Sequence, residues 1–123
     1  MTALGIHLLL DLRDCNSARL DDLLFVRDTL VRAAEETGAT VINDIFHRFS
    51  PQGVTGVVAI AESHLCIHTW PEYGYAAADI FTCGPGFDAS AAAELIIAAF
   101  ESRDPEVREV ERGALLPVAA EGG

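Results

Sequence analysis

Positive charge is scarce in this chain of 123 residues: eight basic side chains stand against nineteen acidic ones, a formal net charge of −11. That balance repels nucleic acid and anionic membrane surface, so neither is expected as a partner, and it mildly favours cationic ligands. Long hydrophobic runs are missing as well. No stretch approaches the roughly 18 apolar residues that a membrane span requires, and the opening MTALGIH has no basic region leading into an apolar one. Cysteine is sparse and odd in number, three in all, without paired spacing. A disulfide framework is therefore not expected, and a reducing cytoplasm is the expected setting. Half of the residues are apolar, enough for one core, so a single domain over residues 1–123 is the expectation.

Hydrophobic patterning lays out the elements. Gly5 to Leu12 is an apolar run of strand length, followed by Asp14, Asn16 and Ser17 as turn and cap material. Leu20, Leu23, Leu24, Arg27, Leu30, Val31 and Ala34 recur at helical steps, with Asp21 and Asp22 suited to the first turn and Gly38 to the stop. Ala39 to Phe46 and Gly53 to Ala61 read as strands joined by a hairpin at Ser50-Pro51-Gln52-Gly53. His64 to Trp70 and Tyr75 to Phe81 read as two more, before a break at Pro85-Gly86. A second helix fits Ala91 to Ser102, with Leu95, Ile96, Ala99 and Phe100 inward. A weaker strand, Glu106 to Arg112, follows, and the tail from Ala119 to Gly123 reads as frayed.

Strands joined by hairpins with two helices between them imply an α+β domain, an antiparallel sheet with both helices on one face. Alternation places Val54, Gly56, Val58 and Ile60 on one side of their strand and Thr55, Val57, Ala59 and Ala61 on the other, so apolar groups lie on both faces. The uncovered face predicts a second copy, giving a four-layer αββα dimer.

From Ala61 to Gly84 the chain reads AESHLCIHTWPEYGYAAADIFTCG, a segment dense in nucleophiles, acids and bases. Such density points to chemistry rather than packing. Together with FHRF at 46–49, the Pro51-Gln52-Gly53 turn and GVTGVV at 53–58, this segment resembles the prokaryotic S-adenosylmethionine decarboxylases, a pyruvoyl-dependent family. The resemblance spans nearly the whole chain. It implies a proenzyme that cuts itself between Glu62 and Ser63 into residues 1–62 and 63–123, with Ser63 becoming a pyruvoyl group.

The implied chemistry fits the residue types. A serine hydroxyl attacks the preceding carbonyl and exchanges amide for ester. Loss of the serine α-proton then expels the carboxylate, and water converts the remaining dehydroalanine to a ketone with loss of ammonia. Elimination calls for a base that is free near neutral pH, which suits histidine; the resemblance assigns His68. In turnover, the ketone forms a Schiff base with the substrate amine and accepts the electrons released as carbon dioxide leaves. The proton returned to carbon needs an acid, a role the resemblance gives to Cys83. It also gives Thr55 a part in processing and sets Phe49 and Trp70 against the adenosyl group, with Glu72 on the ribose hydroxyls. Aromatic faces suit adenine and a sulfonium cation.

Taken singly, each residue has an ordinary reading: Ser63 and Glu72 as turn residues, His68 as a strand histidine, Cys83, Phe49 and Trp70 as packing. Together, in the family's order and spacing, they read as a site. His64, Cys66 and His68 share a strand face, but no fourth ligand follows at a zinc-like spacing, so no metal is expected. His7, His47 and Cys15 take structural readings. Five residues of extended strand span roughly 16 Å, and odd spacing puts side chains on opposite faces, so His68 is expected to reach the Ser63 of another protomer. Shared sites in an α2β2 homodimer follow.

Two positions depart from the family form. Thr55 stands where serine is typical, and its extra methyl restricts the rotamer, which predicts slower cleavage. Cys66 replaces a small hydroxyl residue and adds a thiol expected to be open to oxidation. The same apparatus could serve an ornithine or arginine decarboxylase, and the same fold a non-catalytic regulatory module. Phe49, Trp70 and Glu72 favour the adenosyl substrate, and intact Ser63, His68 and Cys83 favour catalysis.

Overall fold

Six strands, four of them with period-two burial, pair into one antiparallel sheet in the order β2-β3-β4-β5-β1-β6. They are β1 (Ala3–Arg13), β2 (Thr40–Arg48), β3 (Val54–Ala61), β4 (Ser63–Trp70), β5 (Tyr75–Thr82) and β6 (Asp104–Ala114). The helices are α1 (Ser17–Leu20), α2 (Leu23–Glu36) and α3 (Ala89–Ala99), and a 3-10 turn covers Pro71–Tyr73. The computed structural model describes residues 3–83 and 86–114. Pro85 of the expected chain break and the tail from Ala119 to Gly123 lie outside the described residues.

Alternation sets the core. Leu8, Leu10 and Leu12 of β1, Val58 and Ile60 of β3, Leu65 and Ile67 of β4 and Ile80 of β5 all point to one side, where they meet Val26, Leu30, Ile96 and Phe100. Burial at about 25 cal/mol per Å² of apolar surface makes this layer the main source of stability. Phe25 meets Phe100 edge to face at 5.7 Å. The expected α+β arrangement, with helices on one face of an antiparallel sheet, is the one found.

Helix boundaries differ from expectation in an instructive way. One helix with Asp21 and Asp22 in its first turn was the reading; instead the chain makes two helices that break at this pair. Asp22 is the N-cap of α2, its side chain accepting from Phe25 N, while Asp21 is the C-cap of α1. Capping satisfies an amide that an interior aspartate would leave to water. The restart at Leu23 also shifts the buried stripe to Val26, Thr29, Leu30, Ala33 and Ala34, leaving Leu24 exposed. In α3 the buried residues are Ala92, Ala93 and Ile96, with Phe100 as C-cap, whereas Leu95 is exposed. The last strand is longer than expected: β6 pairs with β1 from Arg13↔Asp104 to Ala3↔Ala114.

Gly56 is required by close approach. The Phe46 ring lies over it so tightly that an added Cβ would sit 1.9 Å from a ring carbon. We expect Gly56→Ala to lower stability by about 1–3 kcal/mol through overpacking, read as a lower urea midpoint at unchanged m-value.

Candidate active site

Strand β4 runs between two groups of the sequence-predicted residues. At its start, Ile60↔Ser63 pairing closes the β3–β4 turn on Ala61 and Glu62, and Ser63 lies opposite Thr82 of β5. That register delivers Cys83, the residue after β5, to the turn: its Sγ donates to the Glu62 carbonyl oxygen at 3.5 Å. Ser63 has φ +132°, a region almost reserved for glycine that costs a serine about 1–3 kcal/mol. The bond between Glu62 and Ser63 therefore joins an exposed residue to a strained one, with a thiol on its carbonyl.

At the other end of β4 lies a cleft of about 310 Å³ lined by Phe49, Gln52, Gly53, Thr55, His68, Thr69, Trp70 and Glu72. That volume is at the lower end of small-molecule sites. Thr55 and His68 are cross-strand partners, and Thr55 Oγ1 lies 3.1 Å from His68 Nδ1. If Nδ1–H donates to the threonine oxygen, Nε2 is left as the basic nitrogen. Trp70 stands 6.3 Å from His68 and 5.4 Å from Tyr75, ring centre to ring centre. Glu72 is carried by the 3-10 turn that Pro71 starts and Gly74 ends at φ +60°. Phe49 meets His47 edge to face at 4.6 Å.

The structure thus gathers Glu62, Ser63 and Cys83 at one end of the strand and Phe49, Thr55, His68, Trp70 and Glu72 at the other. It does not bring His68 to Ser63 within the chain. Gln52, Gly53 and Thr69 were not read as site residues from the sequence. The first two were visible as turn chemistry alone, and Thr69 is recognisable only by what its hydroxyl bonds: it donates to Leu20 O and accepts from Val54 N, each at 2.8 Å.

The sheet face away from the helices is divided. On β2 and β3 it is apolar, with Ile45 72% and Val57 38% exposed and directly paired. Across β1, β5 and β6 it is mixed, with charged groups set among Leu9, Phe81 and Val110. His7 lies 3.5 Å from Asp79 and 3.1 Å from Arg112, and Tyr75 donates to Asp11, which pushes the phenol pKa up to about 12. The expectation of apolar groups on both faces of β3 holds. Burial, with Asp79 alongside, pushes the Cys66 thiol up to about 11. A thiol held above neutrality carries little thiolate, the form that oxidation needs. Among the described residues no three His, Cys, Asp or Glu side chains converge to hold a metal ion.

A larger concavity of about 530 Å³ is lined by Asp14, Cys15, Asn16, Glu101, Ser102 and Arg103. Its polar groups bind one another, Arg103 to Asp14 at 3.2 Å and Asn16 to Glu101 at 3.0 Å, and it holds none of the residues above. Volume does not locate the chemistry here; the convergence of residue types does.

Comparison with known proteins agrees with this geometry. A family model described as S-adenosylmethionine decarboxylase matches residues 6–113. The S-adenosylmethionine decarboxylase proenzyme of Thermodesulfovibrio yellowstonii is 53% identical over 94% of this chain and 85% of its own length. That of Moorella thermoacetica is 47% identical over 98% and 96%. The crystal structure of the adenosylmethionine decarboxylase from Aquifex aeolicus superposes with a TM-score of 0.88 at 35% identity, covering 95% of this chain and 97% of that one. With the motifs, the fold and these matches in agreement over nearly its full length, this chain belongs to the S-adenosylmethionine decarboxylase family.

Proposed function

We propose that this chain is a proenzyme that cuts itself between Glu62 and Ser63 and then converts S-adenosylmethionine to carbon dioxide and its decarboxylated product, the aminopropyl donor for spermidine. The observation that carries the reading is the contact of Cys83 Sγ with the Glu62 carbonyl oxygen beside a backbone-strained Ser63. A thiol proton on that oxygen draws electrons from the carbonyl carbon that the Ser63 hydroxyl must attack. Cleavage also releases the unfavourable φ of residue 63. The residues at this end of β4 fit a pyruvoyl group, which supplies an electron sink for carbon dioxide loss from an α-amino acid. Cys83 stands next to that position with a proton to donate to the substrate carbon.

The cleft supplies recognition. Trp70 and Phe49 offer faces to adenine and the sulfonium, Glu72 accepts from ribose hydroxyls, and the surplus of negative charge favours a cationic substrate. Ornithine and arginine have no ring for the aromatic residues to hold, so the adenosyl substrate fits better.

Each site is completed by a second copy of the chain. Ser63 and His68 lie five strand residues apart, roughly 16 Å, and the apolar half of the outer sheet face at Ile45 and Val57 is free to pack on its counterpart. In the resulting α2β2 homodimer of four layers, the partner's His68, held by Thr55, takes the Ser63 α-proton. Three unpaired thiols fit a reducing cytoplasm, and no helix among the described residues is long and apolar enough to cross a membrane.

The test is to incubate purified protein separately with carboxyl-labelled S-adenosylmethionine, ornithine and arginine and to trap the carbon dioxide. Release from the first alone is expected. Release from ornithine or arginine at equal efficiency would overturn the substrate assignment, and silence with all three from fully cut protein would leave a non-catalytic member of the fold.

A further inference from the structure

The short helix α1 and its flanks stand behind the cleft, and the elements that line the cleft are tied to them. Cys15 N donates to Gly74 O at 2.9 Å, fixing the end of the turn that carries Glu72. Leu20 O accepts from Thr69 Oγ1, which in turn accepts from Val54 N. Asp21 closes the set. Its Oδ1 accepts from Gly53 N at 2.9 Å, its Oδ2 from Arg48 Nη2 at 2.7 Å, and its backbone oxygen from Arg48 Nε at 3.1 Å. Gly53 and Arg48 are the two ends of the loop that presents Phe49 and Gln52, and Phe49 N itself donates to Gly53 O at 2.7 Å.

We propose that Asp21 is a positioning residue for the cleft: by gripping both ends of the 48–53 loop it sets the Phe49 side of the adenosyl site against Trp70. The proposal rests on the reading of the cleft as the substrate site. Three features support it. The loop makes an irregular excursion that strand pairing does not constrain, since β2–β3 pairing stops at Arg48↔Val54. Phe49 is 47% exposed, so packing alone does not fix it. The grip is charge-assisted, shorter and stronger than a neutral pair, and the Gly53 amide and then Arg48 hold the Asp21 carboxyl below its usual pKa, so it remains an acceptor throughout the neutral range. Asp21 touches no reacting atom; it acts through the loop.

Trp70 is the single tryptophan of the chain and lines the cleft, so its fluorescence reports occupancy without catalysis. The probe is 5′-methylthioadenosine, which has the nucleoside and sulfur but no α-amine to react. In the cut enzyme we expect Asp21→Ala to weaken probe binding roughly tenfold and to raise KM for S-adenosylmethionine in proportion, with kcat within about twofold, the size of one lost charge-assisted hydrogen bond. Asp21→Asn keeps an oxygen for the Gly53 amide and is expected to bind within about threefold of the parent. Should Asp21→Ala fail to fold, Arg48→Met, which removes the other charged partner of the grip, decides: it is expected to weaken probe binding at least about threefold, and binding equal to the parent overturns the proposal. Asp21→Ala binding within twofold of the parent, or Asp21→Asn losing as much as Ala, overturns the proposal. Parent enzyme that decarboxylates S-adenosylmethionine but gives no fluorescence change with the probe overturns the cleft assignment and the proposal with it; equal binding by parent and Asp21→Ala overturns the proposal alone.

Discussion

Ser63→Ala is expected to remain one 13.2 kDa chain and to release no carbon dioxide above background, while folding and assembling as the parent does. The whole effect lies in one oxygen. Alanine at 63 removes the nucleophile for the acyl shift and with it the precursor of the ketone, so neither cleavage nor turnover has a route. Because Ser63 sits at the strand start and makes none of the side-chain ties that hold the core, loss of its hydroxyl should change stability by less than about 1 kcal/mol. Intact-mass measurement of the parent should show two pieces, residues 1–62 and 63–123, the second sensitive to borohydride at its new end. A Ser63→Ala protein that still appears as two such pieces would sink the assignment of the cut.

The second large effect is complementation between two inactive chains. His68→Ala is expected to stay uncut, because the α-proton of residue 63 has no base. Co-expressed with Ser63→Ala, it should recover: a mixed dimer contains one site with an intact serine from one chain and an intact histidine from the other. Random pairing puts half of the His68→Ala chains in such dimers, so about a quarter of all chains should be cut, and every cut chain should carry His68→Ala. Mixed dimers that form yet show no cut chain would mean that His68 acts within its own protomer, and that the roughly 16 Å along β4 is closed by movement rather than by a partner. The geometry favours the first outcome because paired strands are stiff along their length, and β4 is bonded on both sides, to β3 and β5.

The two experiments separate cause from placement. In the proposed reading, Ser63 decides whether the chemistry exists and the partner's His68 decides where it is assembled. Thr55 lies between these questions. Its hydroxyl lies 3.1 Å from His68 Nδ1, so the threonine keeps the oxygen of the serine typical of the family while its methyl restricts the rotamer.

Much of this was written in the order of residues. Period-two alternation in β3 was legible because its buried face is wholly apolar, and the Pro51-Gln52-Gly53 turn followed from residues that favour turns. The candidate site, Phe49, Thr55, Glu62, Ser63, His68, Trp70, Glu72 and Cys83, was legible as a list only through the family resemblance that its order carries; singly, each residue has an ordinary reading. The helix break at Asp21-Asp22 was not legible, since two adjacent aspartates suit a first turn as well as a pair of caps. Only the approach of Gly53 and Arg48 to Asp21, more than twenty residues away in the chain, separates the two. The raised pKa of Cys66 was not legible for a related reason. Its reactivity depends on burial beside Asp79, and that neighbour comes from the pairing of β4 with β5.

The sequence by itself determined most element types through local period and, through its resemblance to a decarboxylase family, pointed to a bond to be cut and a chemical class for the site. The tertiary structure decided that Cys83 lies on the Glu62 carbonyl, that the cleft and the cut stand at opposite ends of one strand, and that Asp21 turns away from its helix to hold a loop. Those facts depend on strand register and on contacts between distant residues, whose free energy exists only once the sheet has formed.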